Sequence, residues 1–205
     1  MRESLRAGIA IYNEGYAHAA HDPWEAHWLE LESGTDDERL LHGLIQFTAA
    51  IYHAQSRNWE GTVGLSQRAV GYLQGLPDDY RDVNVGDVRR YLRALETDPE
   101  LIDRRPPLAL EYDRQRLGLA DLEPEAQVRA AGSLAEELGY PRSVVDAGAE
   151  FAVEALEAGE SSRFLALICD FVGEPERRAL AFDRLERHVE RRQSKARDVD
   201  GLFDP

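Results

Sequence analysis

Five of the six histidines lie between positions 18 and 53. Asp22, Glu25, Trp28 and Gln46 stand among them. His21 and Glu25 are four residues apart and share one face of a helix. His42, Gln46 and His53 are separated by steps of four and seven, which again keeps them on one helix face. Imidazole and carboxylate groups can hydrogen-bond across a helix interface, ligate zinc, iron or manganese, or transfer protons. Three readings compete. In the first, His21, Asp22, Glu25, Trp28, Gln46 and His53 form a buried structural network between two helices. In the second, His21, Glu25 and His53 hold a divalent metal ion, with Asp22 or His18 assisting. In the third, the cluster lines a pocket for a small polar ligand, with Glu25 or His53 as general base and His21 as its partner. Neither His-Glu-x-x-His nor a paired Glu-x-x-His is present, and metal centres on helices characteristically use those spacings. The structural network, in a non-catalytic binding or assembly domain, is therefore the expectation. A metal-dependent hydrolase or a small-ligand-binding enzyme is the alternative.

The elements that position these residues read as helices. Strand-like alternation of β-branched residues is missing, so the expected fold class is all-α. A first helix is expected over 2–13, stopping near Gly15. Asp22 as cap, Pro23 at the first helical position and Glu25 as return partner open a second helix running to about 32. Thr35 and Glu38 open a third, continuing to about 57. Its Leu40, Leu44, Phe47 and Ile51 form one apolar stripe and Leu41, Ile45, Thr48 and Tyr52 the next. A helix apolar nearly all round is a buried central helix, so Gln46 and His53 are expected to be buried and to need partners. Asn58 opens a fourth helix, and Asn84 with Asp87 a fifth. The glycines of the fourth helix, Gly61, Gly64, Gly71 and Gly75, suggest close helix packing.

The run from Tyr12 to Trp28 contains Asn13-Glu14-Gly15-Tyr16, then Ala20-His21-Asp22, then Glu25 and Trp28. It resembles the opening motif of domain of unknown function family 309. Gly43-Leu44-Ile45-Gln46 is similar to the second motif of that family, and Ala50–His53 and Asn58–Gly61 to the segments next in order. The resemblance covers about residues 5–76. Asp22 stands where the family usually has Glu, which moves a carboxylate back by one methylene. The resemblance implies a small all-helical domain and points to His21, Asp22, Glu25, Trp28, Gln46 and His53. It supplies no reaction.

The stretch 99–119 contains Pro99, Pro106 and Pro107, and proline interrupts helices. It reads as a strap or linker between a bundle-like antiparallel unit, 1–98, and a helical C-terminal extension, 120–205. Further helices are expected over 123–138, 141–158, 162–172 and 175–195, with Ser161-Ser162 opening the third of these. Cys169 sits in an apolar segment and reads as core. The last helix reverses the local charge, with eight bases against five acids between Glu174 and Arg197. Its arginines, among them Arg184, Arg187 and Arg191, could meet phosphate, although a solvated face is the simpler expectation. Leu180, Phe182, Leu185 and Val189 give it an apolar side, for docking on its own chain or on a second copy in a homo-oligomer.

The whole chain has 205 residues, 39 acids and 24 bases, a net charge of −15, and a single lysine, Lys195. Such a surface repels nucleic-acid phosphate, so nucleic acid is not the expected partner. High acid content with arginine in place of lysine resembles a protein of a salt-loving cell. A GC-rich genome would also favour arginine. One cysteine precludes an intrachain disulfide. The longest apolar run, 40–54, is too short and too polar to span a bilayer. A halophilic, cytoplasmic, membrane-free protein is the expectation.

Overall fold

The computed structural model describes residues 1–160 and 162–200, with side chains placed to Lys195. It is all-α, as expected. The elements are α1 (Arg2–Asn13), α2 (His21–Trp28), α3 (Asp36–Gln55), α4 (Trp59–Leu73), α5 (Val85–Thr97), α6 (Leu101–Arg104), β1 (Glu111–Tyr112), β2 (Gln115–Arg116), α7 (Pro124–Glu137), α8 (Arg142–Glu157), α9 (Arg163–Gly173) and α10 (Arg178–Asp200). The chain divides into two compact units, Met1–Leu119 and a second from Ala120 onward. Among the described residues, no helix is long and apolar enough to cross a membrane.

In the N-terminal unit, α3 is the central helix. Its Leu40, Leu41, Leu44, Phe47 and Ile51 are almost completely buried. Each such side chain contributes roughly 1.5–3 kcal/mol through removal of apolar surface from water. α3 packs most extensively on α4 and also on α2, and α4 packs on α5. Small residues allow the close approaches. A Cβ on Gly43 would lie 2.5 Å from the Leu73 side chain of α4, and one on Gly8 would lie 2.2 Å from the Trp24 indole. Trp24 is fully buried and donates Nε1–H to the Leu5 carbonyl across 3.2 Å. Of the four glycines of the fourth helix, Gly61 is a packing residue. Gly71 faces open space, and Gly75, at φ +84°, lies just past the helix end.

Three helix starts differ in detail from expectation. Thr35 caps α3 by accepting from Glu38 N, and Asn58 caps α4 by accepting from Gly61 N. The Glu38 side chain, however, does not return to Thr35; it accepts from Gly34 N and from Trp28. α2 begins at His21 after Ala20, not at Pro23 after an Asp22 cap. The chain is already turning there, with Ala20 N bonded to the Tyr16 carbonyl and His21 N to the His18 carbonyl. Pro23 is tolerated because N–H groups of a first helical turn have no intrahelical acceptor. Asn84 precedes α5 without capping it.

Asn84 instead helps hold the strap. Its amide donates to the Ala109 carbonyl and accepts from Glu111 N. Asn13, at the end of α1, donates Nδ2–H to the carbonyls of Leu110 and Leu117 and accepts from Leu110 N. An Asn side chain offers a donor and an acceptor together, so it can stand in for a strand neighbour. The strap turns back on itself at Asp113 and Arg114, both at positive φ, and pairs β1 with β2 in antiparallel register. The stretch expected as a linker therefore lies within the first compact unit.

In the second unit, α7, α8, α9 and α10 pack on one another. Ser162 caps α9 by accepting from Leu165 N; Ser161 lies outside the described residues. α10 docks on α8 and α9 through Ala181, Phe182, Leu185 and Val189, all buried. Leu180 does not share that side and is 50% exposed. Arg192 lies 4.0 Å over the Phe151 ring and pairs with Glu154 at 2.7 Å.

Candidate functional site

The polar side chains singled out on α2 and α3 fall into four separate contacts. His21 Nε2 lies 2.7 Å from Thr48 Oγ1 on α3, and Thr48 Oγ1 also donates to the carbonyls of Leu44 and Ile45. A hydroxyl has one proton to give. All these groups are satisfied together when His21 carries its proton on Nε2 and donates to Thr48. Burial lowers the His21 pKa to about 4, the His18 ring adds to that, and Asp22 opposes it. The His18 ring stacks on His21 at 5.6 Å. His21 is thus neutral near pH 7.

The second contact centres on Glu38, which is buried in the first turn of α3. Its Oε1 accepts from Trp28 Nε1 at 2.8 Å and lies 3.3 Å from His42 Nδ1. Oε2 accepts from Gly34 N at 3.2 Å. Burial acts to raise the Glu38 pKa, but the hydrogen bonds from Trp28, Gly34 and His42 outweigh it and hold the carboxyl below its ordinary value. His42 sits between two rings, Trp28 at 4.8 Å and Tyr72 of α4 at 3.8 Å.

The remaining two contacts lead to α4. Gln46 Oε1 accepts from Arg68 Nε at 3.2 Å. His53 Nδ1 lies 2.7 Å from Asn58 Nδ2, the capping residue of α4, and a Cβ on Gly61 would crowd it at 2.3 Å. Neither Gln46 nor His53 is fully buried; both are half-buried. Glu25 is exposed on α2. The expected line along α3 therefore exists, but it splits. Its N-terminal end meets α2 at Trp28, and Gln46 and His53 turn to α4.

Among the described residues, no group of three or more His, Cys, Asp or Glu side chains is placed to hold a metal ion. His21, Glu25 and His53 are not brought together as a ligand set. Two cavities of the N-terminal unit lie elsewhere. One, of about 390 Å³, is lined by residues including Tyr12, Ile51, Gln55 and Leu108. Another, of about 290 Å³, lies at Asp78, Asp87 and Arg114. In the C-terminal unit, Cys169 is half-buried. Burial, with help from Asp170 and Glu125, pushes its thiol up to about 11, so the thiol form prevails near pH 7.

Thr48, Glu38 and Arg68 are partners outside the set that the sequence singles out. Sequence patterning places Thr48 in an apolar stripe and Glu38 at a cap. Glu38 is legible nonetheless, because positions 38, 42 and 46 continue one helical line at steps of four. Thr48 gives no such signal, since its hydroxyl acts only through the approach of α2.

The class this geometry defines is an all-helical domain with separate polar side-chain contacts at its α2–α3 and α3–α4 packing. Residues 5–65 match the family model of a domain of unknown function (DUF309), in line with the N-terminal resemblance, and the rest of the chain has no family match. No curated protein matches the chain.

Proposed function

We propose that the chain is a non-catalytic binding or assembly protein, cytoplasmic and salt-adapted, whose N-terminal polar cluster is structural. The observation that carries this reading is that His21, Trp28, Gln46 and His53 are each engaged by another protein side chain. A catalytic base needs a free lone pair directed at open space where a substrate can lie. The polar residues here act as fasteners between α2, α3 and α4. The large excess of acids over bases supports the salt-adapted setting. Assembly is supported by exposed apolar side chains on the C-terminal helices, Leu180 at 50% and Val153 at 39%.

Elemental analysis of untagged protein, combined with melting of His21→Val, Glu25→Gln and His53→Leu, tests the non-catalytic role. The expected outcome is no stoichiometric metal, lower melting temperatures for the two histidine variants, and no change for Glu25→Gln. One metal per chain, lost in His21→Val and in His53→Leu, overturns it. Light scattering tests assembly. A mass above the 23.1 kDa of one chain, falling to that value in Leu180→Glu, is expected. A single-chain mass at every concentration removes the homo-oligomer.

A further inference from the structure

The C-terminal unit carries an open groove of about 520 Å³ between α9 and α10. Its charged lining is Arg163 and Asp170 from α9, and Arg184, Arg187, His188 and Arg191 from α10. Positions 184, 187 and 191 follow helical spacing and lie along one face, spanning about 10 Å of helix axis. Arg163 is the first residue of α9, where the exposed N–H groups of a helix add positive potential.

Some guanidiniums of the chain are already neutralised by a neighbour. Arg39, Arg81, Arg89, Arg142 and Arg192 each pair with a carboxylate. Arg163, Arg184 and Arg191 have no ion pair or hydrogen bond to any described residue, and Arg187 donates to the Asp183 carbonyl, which carries no charge. Four arginines converging on one cavity, with Asp170 as its acid, leave a net positive site on an acidic molecule. The groove is also felt by His188. Burial lowers its pKa, and Arg163, Arg191 and Arg187 lower it further.

We propose that the α9–α10 groove binds a small ligand carrying a chain of two or three phosphate groups. Guanidinium forks match phosphate oxygens in geometry as well as charge. The volume suits a small molecule. A nucleic-acid polymer fits less well, because its backbone would extend past the groove onto a surface of the opposite preference.

The test is calorimetric titration of the full chain with inorganic triphosphate and, separately, with ATP, in the lowest salt that preserves a cooperative melt. His188 ring signals are followed by NMR. Saturable binding of at least one probe is expected, with a rise in the His188 pKa on binding. An affinity loss of tenfold or more is expected in Arg187→Gln/Arg191→Gln. ATP binding tenfold tighter than triphosphate identifies a nucleotide, and equal binding identifies the phosphate chain itself. The variants lie on an exposed face. Should the double variant fail to melt cooperatively, Arg163→Gln is read in its place, with Arg191→Lys retaining more affinity than Arg191→Gln. No binding of either probe at 1 mM, binding undiminished in the glutamine variants, or tighter binding of a single-stranded RNA 20-mer than of both probes overturns the proposal.

Discussion

The Trp28 indole N–H donates to Glu38 Oε1 across 2.8 Å and ties the end of α2 to the first turn of α3. The same carboxylate takes Gly34 N and meets His42. A buried carboxylate without donors is costly, so the value of this contact lies in keeping Glu38 satisfied. Trp28→Phe keeps most of the ring and removes the donor. It is expected to cost about 1–3 kcal/mol of stability. A double-mutant cycle with Glu38→Leu, read by urea unfolding, should show a coupling of about 1 kcal/mol or more. Additive effects would mean that the bond contributes nothing.

His21 makes stability depend on pH. Its folded pKa of about 4 lies below the ordinary 6.5, so the unfolded chain binds the proton more readily. The stabilisation is complete above pH 6.5 and is lost as pH falls from there towards 4. The full loss is on the order of 3 kcal/mol. His188, also held low, acts in the same direction. The difference between the chain and His21→Gln therefore isolates His21. Unfolding measured between pH 7 and 5 should show a shallower slope for the variant, and parallel slopes would refute the assignment.

Two glycines on helices should respond in opposite senses. Gly8→Ala places a methyl group 2.2 Å from the Trp24 indole and should destabilise by about 1–3 kcal/mol through overpacking. Gly71→Ala meets nothing within 4 Å and should stabilise by about 0.5–1 kcal/mol, because alanine loses less backbone freedom in a helix. Thermal melting of both variants decides the matter.

Asn13 holds the strap through three side-chain hydrogen bonds. Asn13→Ala should lower stability by about 1–3 kcal/mol, since buried backbone groups of the strap lose their partner. It should also speed proteolysis between residues 106 and 117. Asn13→Asp keeps the acceptor for Leu110 N but turns a carboxylate oxygen towards the carbonyls of Leu110 and Leu117, so it too should destabilise the strap. Unchanged cleavage in Asn13→Ala would show that the strap is held by other contacts.

Much of the fold is legible in the residues. The apolar stripes of α3, the Thr35 and Asn58 caps and the proline breaks are local patterns, and local patterns determine which segments become helices. The polar line on α3 is also local, because four-residue steps place side chains on one face whatever surrounds them. The partner of each polar group is not local. Sequence spacing alone points Gln46 and His53 towards α2. They meet Arg68 and Asn58, because α3 packs more extensively on α4. The strap reads as a linker in sequence because proline excludes helix. That it folds back depends on Asn13 and Asn84, which are 97 and 27 residues from the backbone groups they bind, Leu110 and Glu111. The arginines of α10 read as a solvated face in sequence, and only the approach of α9 turns them into the wall of a groove. Sequence periodicity by itself determined the long helices and their faces, and composition the overall acidity of the chain. The tertiary structure decided which faces meet, and so which charges are paired, because a hydrogen bond or ion pair depends on distances of a few ångströms that helix packing alone sets.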